Sequence, residues 1–132
     1  MMAEQLQRKK LPDDRRSISR EFRIPWVHSN GDVDVMEIHF DVGLFDDGAP
    51  GEVWIRAHKT GSLASGSLNA AAIMISIALQ HGVPLRTLTG KLRHMRFNPS
   101  GFTKDPRFPS CTSPLDLLAQ WLESLFPEAP AS

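Results

Sequence analysis

The 132-residue chain has very little of several features that would each indicate a definite class of protein. It has one cysteine, which excludes a disulfide within the chain and a zinc site built on several cysteines. No uninterrupted apolar run reaches the roughly 18 residues that cross a membrane. The first twenty residues are polar and do not resemble a secretory leader. The sequence therefore predicts a cytoplasmic protein.

The chain also lacks net charge, because fifteen basic residues balance fifteen acidic ones. This balance argues against a whole-molecule electrostatic attraction to nucleic acid. The charges are nevertheless segregated, since the charged residues of 8–23 and 86–107 are mainly basic, whereas residues 32–52 contain seven acidic residues and no lysine or arginine. Folding could pair these segments or leave an acidic and a basic face. Solvated surface charge is the simpler interpretation, with each exposed pair contributing only about 0–1 kcal/mol.

The first half of the chain has the patterning of β-strands. Apolar and polar residues alternate over residues 22–26 and 36–44, and residues 53–55 form a third apolar segment. Turn-forming residues separate the three segments. Val33 and Val35 are out of phase with the second segment, which predicts a bulge or a late strand start.

The second half has the patterning of helices. Residues 68–79 are nearly all apolar and predict a buried helix, residues 85–92 a short second one, and residues 114–126 a third with a capping box at its start. Between the last two lies a proline-rich loop, 94–112, which we expect three phenylalanines to hold against the core: Phe97, Phe102 and Phe108.

Strands followed by helices indicate an α+β fold, a three-stranded antiparallel meander followed by three helices packed on one face. We predict a flexible N-terminal tail over residues 1–18, a single domain over 19–126 and a C-terminal tail over 127–132.

Few residue patterns indicate chemistry. The Gly- and Ser-rich segment 59–67 precedes a helix and could hold an anion, although it lacks the order of a P-loop. The five histidines form no metal-binding spacing, so no metal site is predicted. Cys111 precedes a helix N-terminus, which favours a reactive thiolate, while a small apolar filler is the simpler interpretation. Basic residues interleaved with phenylalanines over 86–107 suit single-stranded nucleic acid.

Three segments carry a resemblance to a known family: Ile75 to Leu85, Arg96 to Thr103, and Thr112 to Asp116. They resemble the TSCPD domain, which is found near the C-terminus of adenosylcobalamin-dependent (class II) ribonucleotide reductases and as small stand-alone bacterial and phage proteins. The resemblance covers residues 33–125. The chain departs from the family's Thr-Ser-Cys-Pro-Asp string, because Cys111 precedes Thr112.

The resemblance implies a role in deoxyribonucleotide supply, but a chain with one cysteine cannot hold the radical-carrying cysteine and the reducing pair of the reductase. We therefore expect a non-catalytic accessory or regulatory domain that binds protein or nucleotide. The candidate binding residues are Lys59, Thr60, Gly61, Ser65, Arg93, Arg96, Asn98, Ser100, Lys104 and Cys111.

The expected partners are a cobalamin-dependent ribonucleotide reductase or another protein, with cobalamin supplied only through that reductase. The alternative is a small nucleic-acid-binding module that uses residues 86–107. A third hypothesis is an enzyme with Cys111 as nucleophile. An exposed sheet edge that could pair with a copy adds a homodimer to these expectations.

Overall fold

A computed structural model describes residues 7–57 and 63–127 of the chain. The strands are β1 (Ser17–Val27), β2 (Val33–Leu44), β3 (Pro50–Ala57), β4 (Gly101–Phe102) and β5 (Ser110–Cys111). The helices are α1 (Leu63–Gln80), α2 (Leu85–Leu92) and α3 (Pro114–Leu125). The α+β prediction is confirmed, since the antiparallel sheet β1-β2-β3 is followed by three helices.

The three-stranded sheet has one buried and one solvated face. Ile38, Phe40 and Val42 of β2 are fully buried, whereas the residues between them are partly exposed. β1 and β2 pair without interruption from Ser17↔Gly43 to Val27↔Val33. The predicted bulge or late start of β2 is therefore wrong: Val33 and Val35 lie on the solvated face in the normal alternation.

α1 is longer than its apolar pattern predicted. It begins at Leu63 rather than Leu68, so the part of the predicted Gly- and Ser-rich loop from residue 63 to residue 67 is helical. α1 lies along β3, where Val53 N–H donates to Ser76 Oγ at 2.8 Å and Gln80 Nε2 donates to Gly51 O at 2.9 Å. These side chains are one helical turn apart, and they satisfy backbone groups at the edge of the sheet.

α3 closes the core over the buried face of the sheet. The Trp121 ring packs 5.8 Å from the ring of Phe40, which in turn packs 5.7 Å from Phe22. α2 packs against α3 at the margin of this core, where Leu85, Leu88 and Leu92 are partly buried. Apolar burial of this kind is the main source of stability in the fold.

Residues 7–16 contact the domain along their length. Lys9 N–H donates to Gln80 O at 2.8 Å, and Leu44 N–H donates to Arg16 O at 2.9 Å. The first strand begins at Ser17, two residues inside the segment that we predicted as a tail. The flexibility of residues 1–18 and of residues 127–132 remains a prediction.

The segregated charges of the sequence meet in the fold. Arg15 pairs with Glu52 at 2.9 Å and Arg23 with Glu37 at 3.2 Å, so the basic N-terminal segment neutralises part of the acidic one. Within residues 7–57 and 63–127, no helix is both long enough and apolar enough to cross a membrane.

Candidate binding surface

The segment between α2 and α3 has more structure than the predicted irregular loop. β4 and β5 form a short antiparallel ribbon within residues 94–112, which we call the ribbon loop. Phe108 is buried and packs edge-on against Phe22, with ring centroids 5.7 Å apart. Phe97 and Phe102 are 40% and 76% exposed, so the prediction that all three phenylalanines pack on the core is wrong for these two.

A tight turn built around Thr103 and Asp105 braces the outer end of the ribbon loop. The buried Thr103 hydroxyl donates to Phe108 O and accepts from Asp105 N–H. Asp105 accepts from Arg107 N–H at 2.9 Å and forms an ion pair with Arg20 of β1. Burial raises the pKa of Asp105, but the hydrogen bonds and the Arg20 charge outweigh it and lower that pKa overall.

Asp116 holds the first and the last residue of the ribbon loop, His94 and Thr112. Its buried carboxylate accepts hydrogen bonds from His94 N–H at 2.8 Å, Thr112 N–H at 3.0 Å and Gln120 Nε2 at 2.9 Å. Burial raises the pKa of Asp116, but these donors and the nearby Arg93 charge outweigh it and lower the pKa overall. One side chain therefore joins both ends of the ribbon loop to α3.

The predicted capping box at α3 is present in an extended form. Ser113 Oγ accepts from Asp116 N–H at 3.0 Å, as an N-cap should. The Asp116 carboxylate reaches back to Thr112 N–H, one residue beyond the cap, and across to His94. The polar side chains of Ser113 and Asp116 are thus used in hydrogen bonds that hold the loop in place.

Four of the predicted site residues come together in an open pocket of about 450 Å³ on the ribbon loop. They share this pocket with the exposed ring of Phe97, and they are Arg96, Asn98, Ser100 and Cys111. Gly101 lies at the pocket with φ near 130°, a conformation that strongly favours glycine. The pocket combines a cation, amide and hydroxyl groups, and an aromatic ring, which suits a polar partner with a flat or apolar group.

The other predicted residues lie elsewhere. Lys104 lines a separate cleft beside Glu21 and Arg23 of β1. Arg93 is held 3.4 Å from Asp116 and 3.6 Å from Glu123, so it is a structural cation rather than a free one. Ser65 lies in the first turn of α1. Lys59, Thr60 and Gly61 lie outside the described residues.

Arg96 and Lys104 supply positive charge to the ribbon loop. Neither has an ion-pair partner within the part of the chain that the structure describes. Arg107 stacks against Phe108, with its guanidinium carbon 5.3 Å from the ring centroid. The exposed surface of the loop is therefore basic and aromatic.

Cys111 is poorly suited to nucleophilic chemistry. It is 5% exposed, and burial raises the pKa of its thiol to about 11, with the negative charge of Asp116 acting in the same direction. A thiol with this pKa is almost entirely protonated at neutral pH. The burial supports the simpler interpretation of Cys111 as a small filler in the packed base of the ribbon.

The acidic, histidine and cysteine side chains of the described residues form no group of three or more that could hold a metal ion.

A family model for the TSCPD domain matches residues 10–126, which include α1 to α3, all five strands and the seven residues that precede β1. The chain belongs to the TSCPD domain family. The match begins at residue 10, whereas the resemblance seen in the sequence covers residues 33–125. The family match therefore includes residues 10–16, part of the segment that packs against the sheet and α1 in this structure.

This TSCPD domain is similar to part of several much longer curated proteins. It is 36% identical over 119 residues to the vitamin B12-dependent ribonucleotide reductase of Rhodopirellula baltica, covering 90% of this chain and 11% of that protein. The proteins of the same name from Streptantibioticus cattleyicolor and Bradyrhizobium diazoefficiens are 33% and 32% identical, covering 84% and 72% of this chain. The chain spans only 17% and 7% of those two proteins. No solved structure gave a significant match.

The hydrogen bonds that brace the ribbon loop and the surface that the loop exposes are made by different residues. Thr103, Asp105, Thr112, Ser113 and Asp116 make internal hydrogen bonds. The exposed phenylalanines, which sequence reasoning assigned to the core, are the largest apolar groups that the loop offers to a partner. In the sequence, only the basic residues on either side of these phenylalanines indicated that the rings could face a partner.

Proposed function

We propose that this TSCPD domain is a non-catalytic accessory domain linked to deoxyribonucleotide supply, and that it binds a B12-dependent ribonucleotide reductase through the ribbon loop. The observation that carries the proposal is the 76% exposure of Phe102 on a loop that is otherwise internally braced. Large exposed apolar groups on a rigid scaffold are typical of interaction sites. In this proposal cobalamin belongs to the partner, and no residue of this chain is assigned to it.

The family membership supports the choice of partner. The curated relatives named above carry this domain within a B12-dependent reductase, where it occupies a small share of the protein. A domain that packs on the rest of such an enzyme needs an exposed surface with groups that can contact it. The ribbon loop offers two exposed aromatic rings and unpaired cations for that contact.

The proposal is tested by association with the B12-dependent reductase of the same organism, followed by sedimentation of the mixture. We expect micromolar binding that Phe102→Ala weakens by roughly tenfold or more, since buried aromatic anchors dominate interfaces. Val33→Ala is the matched control, because Val33 is also exposed but lies on the β1–β2 hairpin. Absence of association at about 10 μM, or an equal effect of both variants, would refute the proposal.

A second candidate function is binding of single-stranded nucleic acid by the same loop. The specific observation in its favour is that Phe97 and Phe102 are exposed on the same loop as the exposed Arg96 and Lys104, which lie close to them in the sequence. Bases stack on exposed aromatic rings while cations hold the phosphates. The two candidate functions have different ligands, a reductase and an oligonucleotide, so separate binding experiments distinguish them.

Titration with a fluorescent single-stranded oligonucleotide tests the second candidate. Stacking predicts that Phe102→Ala weakens binding by about 5- to 150-fold, with Val33→Ala unchanged. Each phosphate contact adds about −0.7 to the slope of log affinity against log salt concentration. Binding that is absent or independent of salt would exclude this function.

A further inference from the structure

A second concave surface lies on the opposite margin of the sheet, outside every residue of the ribbon loop. It is a groove of about 740 Å³ between residues 8–15, β3 and the C-terminal half of α1. We call it the tryptophan groove, because Trp54 forms part of its lining. Its volume is within the range of roughly 300–1,000 Å³ that small-molecule sites occupy.

The apolar lining of the groove is held in a fixed orientation. Trp54 is 51% exposed, and its Nε1 donates to Glu52 Oε1 at 2.7 Å. Glu52 is itself held by Arg15 at 2.9 Å. The single polar atom of the indole is thus already bonded, and its exposed surface is available for stacking. Ile73 and Ile77 of α1 add further exposed apolar area.

The groove also contains a cation without an acidic partner. Arg8 Nε donates to Gln80 Oε1, and the buried Gln80 donates to Gly51 O at 2.9 Å. Lys10 lies 3.9 Å from Asp13, and Arg15 is paired with Glu52, whereas Arg8 has no carboxylate partner within residues 7–57 and 63–127. A neutral amide therefore holds the guanidinium in place, and no carboxylate of the described residues compensates its charge.

We propose that the tryptophan groove binds a nucleotide, with the base stacked on Trp54 and the phosphates against Arg8. An aromatic ring and an uncompensated guanidinium in one groove are complementary to a ligand that is flat and apolar at one end and anionic at the other. Because every base has a flat face, the site does not require a particular base. The inference is independent of the ribbon loop and of the reductase proposal.

Calorimetric titration with ATP, adenosine and inorganic tripolyphosphate, without added magnesium, tests the assignment. We expect ATP to bind with a dissociation constant below about 1 mM, and each of the other two to bind at least roughly tenfold more weakly. Trp54→Ala should weaken ATP binding by about 5- to 150-fold and Trp54→Phe by much less. Arg8→Gln should weaken ATP binding by roughly tenfold and leave adenosine binding unchanged.

Ile73→Glu gives a second test if the tryptophan variants fail to fold, because Ile73 is exposed on α1. It places a negative charge in the groove and should abolish ATP binding. Val33→Ala, at an exposed residue of the β1–β2 hairpin outside both proposed surfaces, is the matched control and should leave ATP binding unchanged. Absence of ATP binding, equal binding of tripolyphosphate, or retention of affinity in Ile73→Glu would overturn the assignment.

Discussion

Asp116 shows how one buried charge can organise a loop. Its carboxylate receives three N–H donors from three different segments and lies beside Arg93. A buried charge is tolerated only when its hydrogen-bonding capacity is used and a counter-charge is near, and both conditions are met here. The sequence indicated only the local part of this arrangement, the capping box.

We expect Asp116→Asn to lower the free energy of unfolding by about 2 kcal/mol, because the amide loses the carboxylate charge and turns an NH2 group toward at least one of the N–H donors that the buried carboxylate accepts from. Urea denaturation at neutral pH measures the change. Asp46→Asn is the control, since Asp46 is exposed, and it should change stability by less than about 0.5 kcal/mol. A similar small effect for Asp116→Asn would contradict the role given to this carboxylate.

The same residue predicts a pH dependence. Because the pKa of Asp116 in the folded chain lies below its ordinary value of 3.8, the unfolded chain takes up the proton first as the pH falls. The stabilisation is therefore complete above that ordinary value and is lost as the pH falls through the folded-state pKa. We expect the stability difference between the native chain and Asp116→Asn to be constant from pH 7 to about pH 5 and to shrink as the pH falls below about 4. A difference that is constant with pH would be inconsistent with this titration.

The buried thiol of Cys111 should react slowly. With a pKa of about 11, its thiolate population at pH 7 is about two orders of magnitude below that of an ordinary cysteine. We expect iodoacetamide to modify the folded chain at least that much more slowly than free cysteine, and the urea-unfolded chain at the ordinary rate. A folded-state rate equal to that of free cysteine would restore the nucleophile hypothesis.

At the scale of secondary structure, the contact between α1 and β3 depends on polar side chains as well as apolar ones. Ser76 Oγ accepts a hydrogen bond from Val53 N–H, so a helix side chain supplies the acceptor that a neighbouring strand would otherwise provide. The apolar pattern that predicted α1 as a buried helix did not indicate this function for its serine.

We expect Ser76→Ala to destabilise the chain by about 1–2 kcal/mol, because Val53 N–H loses its partner. Ser67→Ala is the matched control on the exposed surface of the same helix and should be within about 0.5 kcal/mol of the native chain. Thermal and urea unfolding measure both. Equal stability of the two variants would show that the edge of β3 does not need this hydrogen bond.

At the scale of the whole molecule, residues 7–16 are part of the packed structure. Leu11 lies against Gly51, where an added Cβ would approach Leu11 Cδ2 to 2.6 Å, and Lys9 lies 4.3 Å from the centroid of the Phe45 ring. The same segment supplies Arg15 to Glu52 and one wall of the tryptophan groove. The polar composition of residues 7–16 gave no indication of these contacts, because their partners lie far away in the sequence.

Deletion of residues 2–16 should lower the free energy of unfolding by about 2 kcal/mol, from the lost Leu11 packing and the unpaired Glu52. It should also remove any ATP binding at the tryptophan groove. Lys10→Ala in the full chain is the control for stability, since the ion pair of Lys10 with Asp13 is exposed. Unchanged stability after the deletion would show that the segment does not contribute to the domain.

The sequence by itself determined the fold class, the three strands, and the positions of α2 and α3, because alternation, turn residues and caps act between near neighbours. It also identified the family through the motif between Arg96 and Asp116. Only the tertiary structure decided which side chains are buried or exposed in the proline-rich segment. Phe108 meets Phe22 and is buried, whereas Phe102 meets no partner in the core.

Tertiary contacts also decided the roles of the charged residues. Arg93 is an internal cation because α3 places Asp116 and Glu123 beside it, and Arg8 lines a groove because α1 places Gln80 beside it. Neither pairing leaves a periodic signal, since the partners are separated by long and irregular stretches of chain. Local patterns therefore specified the elements of this TSCPD domain, and packing between distant elements specified its ribbon-loop surface and its tryptophan groove.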